Sequence, residues 1–108
     1  MRAMTKLMLT GIAAICMLNA AGPVHAADYV VVVEKMKFGP VPETLQVGDT
    51  ITWKNDDIFR HSATARDKSF DIDLPVQSEV RMVVEAAGSV DFFCKFHPGM
   101  KGTLVVSP

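Results

Sequence analysis

From residue 29 onward, apolar positions recur every second residue in short runs. A period of two puts alternate side chains on opposite faces of a strand. Residues 29–35 are rich in valine, 79–85 place Val80, Met82 and Val84 on one face, and 89–94 do the same with Val90, Phe92 and Cys94. Shorter runs at 44–47, 50–53, 61–65 and 102–106 also have strand composition. Turn residues punctuate them: Gly39-Pro40, Pro42, Gly48-Asp49, Pro75, Ala87-Gly88 and Pro98-Gly99. The pattern predicts an all-β domain, a Greek-key β-sandwich or barrel of about seven or eight strands. No segment shows the period of an amphipathic helix, and the polar stretch 67–75 reads as a loop. Trp53 is expected as a core aromatic between the sheets, with Met36 and Met82 as core fillers.

The first residues follow a different pattern. Arg2 and Lys6 precede an apolar run at 7–18, and Val24-His25-Ala26 offers small residues at a cleavage position. That layout is a secretory signal peptide at 1–26, followed by a domain at 27–108. The run is short for a bilayer span, which disfavours an uncleaved anchor. Lipid attachment at Cys16 is disfavoured because Ile15 stands where a small residue is needed. Export implies a periplasmic location, and no second long apolar run predicts membrane association after cleavage.

Losing Arg2 and Lys6 with the leader takes the formal charge from −1 to −3. That leaves no basic footprint for nucleic acid or anionic lipid. Small exported domains often rely on disulfides. Here Cys94 is the only cysteine outside the leader, so no internal disulfide can form. Once His25 is removed, His61 and His97 are the only histidines. A lone cysteine in an oxidising compartment calls for an explanation: burial, reactivity or metal binding.

The stretch Cys94-Lys95-Phe96-His97-Pro98-Gly99-Met100 supplies one. A strand ends at a thiol, an imidazole and a thioether follow at intervals of three, and Pro98-Gly99 turns the chain so that the three can converge. His61 opens a different strand. Taken singly, Cys94 and Met100 would be core residues, His97 a polar loop residue and His61 an exposed strand start. Taken together they are the His₂Cys set with a weak axial Met that selects copper for electron transfer. Zinc is the alternative metal, but Met is an unusual zinc ligand and no paired CxxC motif is present. The metal site is therefore assigned to His61, Cys94, His97 and Met100, holding one copper ion.

At these residues the chain resembles the cupredoxins, the blue copper proteins. The likeness extends to the valine-rich first strand, to Val47-Gly48-Asp49-Thr50-Ile51-Thr52-Trp53-Lys54-Asn55, and to the Ala87-Gly88 turn. The spacing Cys94-x₂-His97-x₂-Met100 resembles the amicyanin-like subgroup, whereas plastocyanins and pseudoazurins have a longer gap between His and Met. Three positions depart from the pattern: Ser62 stands where Asn is usual, Lys95 where Thr or Ser is usual, and Phe96 where amicyanin-like loops carry Pro. The first two positions normally pin the ligand loop. Phe96 keeps an N–H that could donate to the Cys94 sulfur, so Phe96→Pro is expected to lower the reduction potential.

The resemblance implies a monomeric type 1 copper protein that passes single electrons between transient redox partners. In the family these include a dehydrogenase and a c-type cytochrome. It makes His97 the electron port, with Phe96, Pro98 and Phe59 as a docking patch. An enzyme is not expected, because copper oxidases and nitrite reductases need further histidines and no nucleophile motif such as GxSxG occurs. The runner-up is a periplasmic copper carrier or buffer using the same four residues. With no disulfide to help, bound copper is expected to contribute to stability.

Overall fold

The computed structural model describes residues 26–108. The signal-peptide reading falls almost wholly on residues outside that range. The described chain is all β, with nine strands: β1 (Asp28–Glu34), β2 (Lys37–Phe38), β3 (Leu45–Gln46), β4 (Thr50–Asn55), β5 (His61–Ala65), β6 (Asp71–Leu74), β7 (Glu79–Val83), β8 (Gly88–Phe93) and β9 (Lys101–Ser107). They form a sandwich of two sheets, ordered β2-β1-β4-β7 and β3-β9-β8-β5-β6. The β1/β4 and β3/β9 pairs are parallel and the rest antiparallel.

The alternation seen in the sequence decides which side chains face inward. Val31 and Val33 from β1, Ile51 and Trp53 from β4, and Phe92 and Leu104 from β8 and β9 are all buried between the sheets. Trp53 lies at the centre, its ring 5.2 Å from Phe92 and 6.0 Å from Phe38 in edge-to-face packing. Met36 and Met82 pack against this core from partly buried positions.

Two strands were not expected from the sequence. β2 follows a two-residue turn in which Lys35 and Met36 both take left-handed φ values of 54° and 61°. Such turns normally announce themselves with Asn or Gly, and here neither is present. β6 corrects the reading of 67–75 as a loop. Asp71 to Leu74 pair with β5 at the open edge of the second sheet. Asp71 and Asp73 made the segment look too polar for a strand. On this edge they meet cations instead: Lys95 Nζ lies 3.0 Å from Asp71, and Arg60 makes two bonds to Asp73. Charged edge strands also resist pairing with other chains.

Candidate metal centre

The β8–β9 hairpin builds one side of the site. Its register runs from Gly88↔Val106 to Phe93↔Lys101, so Cys94 and Met100 face each other where the ladder stops. Cys94 N–H donates to the Met100 carbonyl at 3.0 Å, and Met100 N–H donates to the His97 carbonyl at 2.9 Å. These two bonds close the loop around His97. Cys94 continues the inward alternation of Phe92 and is fully buried, and Met100 is 6% exposed. Cys94 is a free cysteine, as expected.

β5 supplies the other side. His61 is its first residue and is completely buried. Its Nδ1 lies 3.7 Å from Cys94 Sγ, and His97 Nδ1 lies 3.9 Å from the same sulfur. All three donor atoms fall within 4.8 Å of one another. Two ligands each bonded to one ion at about 2.0–2.3 Å end up at comparable separations, so the spacing leaves room for a shared ion. One thiol and two imidazoles, with a buried thioether at the loop's end, fit copper.

His61 is oriented by a residue that sequence reasoning missed. Its Nε2 lies 2.9 Å from Asp57 Oδ2, and both side chains are buried. A carboxylate only accepts, so the bond places a proton on Nε2, and in the neutral imidazole the lone pair is then on Nδ1, the nitrogen nearer Cys94. The His61 hydrogen bond, and next the one donated by Met36 N–H, hold the Asp57 carboxyl below the usual aspartate range. Asn55 fixes the intervening loop. It accepts from Asp57 N–H and donates to the carbonyls of Phe59, Leu74 and Pro75. Spacing gave no sign of this, because Asp56 and Asp57 stand side by side and only the folded loop distinguishes them.

The departures at Ser62 and Lys95 resolve into a different fastening. Ser62 Oγ accepts the Lys95 N–H at 2.8 Å and lies 2.9 Å from Thr64 Oγ1, which donates to Asp71. The ligand loop is thus tied to β5 by a serine hydroxyl and the Lys95 backbone. The expectation for Phe96 is corrected. The N–H that reaches Cys94 Sγ comes from Ser62, at 3.4 Å, and none comes from Phe96. The Phe96 ring instead lies outside, under the Arg60 guanidinium at 4.7 Å.

His97 is half-buried and lies 6.0 Å, ring to ring, from Phe59. Phe59, and the chain neighbours Phe96 and Pro98, are exposed. The site therefore has a buried imidazole, His61, and a second one, His97, that reaches an apolar surface.

With fold and site in view, the chain is a cupredoxin: residues 6–106 match the cupredoxin-like domain family. Within that family its likeness is to amicyanin. It is 30% identical over 93 residues to amicyanin of Paracoccus versutus, covering 81% of this chain and 70% of that protein. An amicyanin variant in its reduced Cu(I) form superposes with a TM-score of 0.62 at 29% identity, covering 82% of this chain and 88% of the other. A purple cupredoxin from Nitrosopumilus maritimus gives 0.64 at 25% identity, covering 72% and 98%.

Proposed function

We propose that this protein is a periplasmic blue copper electron carrier, with one type 1 copper ion held by His61 Nδ1, Cys94 Sγ, His97 Nδ1 and the thioether of Met100. The observation that carries the proposal is the convergence of His61, Cys94 and His97 donor atoms within 4.8 Å, with His97 at the surface. When bound, copper supplies one-electron chemistry between Cu(I) and Cu(II). The chain supplies the rest. Asp57 keeps the His61 proton on Nε2. The Ser62 N–H donates to the thiolate, and burial of Cys94 and Met100 excludes water from the sulfur side. His97, framed by Phe59, Phe96 and Pro98, gives electrons a short path to a partner docked on an apolar patch. Small, weak interfaces suit such transient exchanges. The partners are transient redox proteins, for which the likeness to amicyanin suggests a dehydrogenase and a c-type cytochrome, and the protein works as a monomer without enzymatic activity of its own.

The test is a visible absorption spectrum after adding Cu(II), followed by ascorbate and reoxidation. The expected result is an intense thiolate-to-copper band that bleaches and returns. A colourless or weakly coloured complex would overturn the electron-carrier reading and leave a copper carrier using the same donors.

A further inference from the structure

Far from the metal centre, Asp49 is a carboxylate 4% exposed that has no cation within salt-bridge distance among the described residues. A buried carboxylate without a counter-charge is costly. Its backbone is firmly placed: its N–H donates to the Gln46 carbonyl, and its carbonyl accepts from Val84 N–H. Asp49 Oδ2 accepts the Gln46 N–H at 2.8 Å, and Oδ1 accepts the Ala27 N–H at 2.9 Å. Ala27 is held from its other side too, because its carbonyl accepts the Thr50 N–H at 2.9 Å. Ala26, one residue earlier, is exposed. The sequence places a small-residue cleavage position at Val24-His25-Ala26, so the bond after Ala26 joins an exposed residue to one pinned at both ends.

We propose that the working chain begins at Ala27 and that its new α-ammonium group is the missing partner of Asp49. A signal peptidase hydrolyses the Ala26–Ala27 bond with one water. The leader departs with the carboxylate on Ala26, and Ala27 keeps the amine, which takes up a proton at neutral pH. The neutral N–H now donating to Asp49 thereby becomes a charged donor at the same place. Charge-assisted bonds are stronger than neutral ones. The pair fastens the first residue of the domain to the turn before β4, next to the parallel β1/β4 pairing that starts at Asp28↔Thr50. Removal of the leader thus completes the fold's first contact. Charged groups near this end include Asp28, next in the chain, Arg81 on β7, which lies 3.7 Å from it, and Glu85, which follows the Val84 bonded to the Asp49 carbonyl. This inference is independent of the copper reading.

The experiment exports the protein from its full-length precursor and compares it with a precursor carrying Gly-Ser inserted between Ala26 and Ala27, each with and without Asp49→Asn. Intact mass is expected to show a chain starting at Ala27. The two-residue extension, which restores a neutral N–H at Ala27, is expected to raise the unfolding equilibrium constant about fivefold. Asp49→Asn should erase that difference. A different first residue, an extension without effect, or an effect that persists in Asp49→Asn would each overturn the proposal. Should Asp49→Asn fail to fold, the α-amino pKa of the Ala27 chain, read by NMR, decides. A value above the ordinary range of about 7.7–8.0 supports the pair, and a value within or below it overturns it.

Discussion

Asp57 and Ser62 touch the proposed ligands His61 and Cys94 without being proposed as ligands themselves. Asp57 Oδ2 takes hydrogen bonds from both His61 Nε2 and Met36 N–H, which ties the buried imidazole to the β1–β2 turn. Without it His61 could turn or shift its proton to Nδ1, where it would compete with a metal. Partners of this kind typically contribute 10–100-fold to metal affinity. Asp57→Ala is therefore expected to weaken copper binding by about that factor, read by competition with a chelator. Ser62→Ala should act on the loop. It strips the Lys95 N–H of its acceptor and Thr64 of a neighbour, at a site where Ser62 is fully buried. The Lys95 N–H is only partly buried, so the apoprotein should lose about the net worth of one hydrogen bond, about 1 kcal/mol, in a urea titration. Phe96→Pro, by contrast, removes no bond to the Cys94 sulfur, and its reduction potential should not fall by that route.

At the scale of the elements, the β8–β9 hairpin determines where Cys94, His97 and Met100 stand. Its register depends on Gly102 lying opposite Phe92. A Cβ at Gly102 would meet the Phe92 ring at 2.5 Å, and that ring is locked between Trp53 and Phe38. Neither side can give way cheaply, and overpacking of this kind costs about 1–3 kcal/mol. Gly102→Ala is expected to destabilise the apoprotein by that amount in denaturant unfolding and to broaden the copper band by displacing the end of β8. The hairpin was legible in the sequence because Val90, Phe92 and Cys94 alternate cleanly up to a turn. β6 was not, because its role depends on cations that come from elsewhere in the chain. Asp71 and Asp73 read as loop residues until β5 and the ligand loop bring Arg60 and Lys95 beside them.

Over the whole molecule, stability should depend on acid in a definite direction. Hydrogen bonds and ion pairs hold the carboxyls of Asp57, Asp67, Asp71 and Asp73 below the ordinary aspartate value of 3.8. A group depressed in the folded state binds protons more readily when unfolded. Its stabilisation is complete above the ordinary value and fades as pH falls through the folded one. The apoprotein's unfolding temperature is thus expected to be level between about pH 5 and pH 7 and to drop below about pH 4, as a calorimetric pH series would show. The exposed pairs at Asp71 and Asp73 contribute little each, and their share should shrink further in salt. The scarcity of Cys and His determined the donor inventory from sequence alone, since Cys94, His61 and His97 had few rivals. Strand alternation likewise determined an all-β sandwich or barrel, because a period of two admits one inward face, and the folded chain decided on two sheets. Tertiary structure alone decided what neighbours in the sequence cannot signal: that Asp57 rather than Asp56 orients His61, and that Ser62 fastens the loop at Lys95. It also decided that Asp49 lies against Ala27. Each of these depends on hydrogen bonds a few ångströms long between residues that only the folded chain brings together.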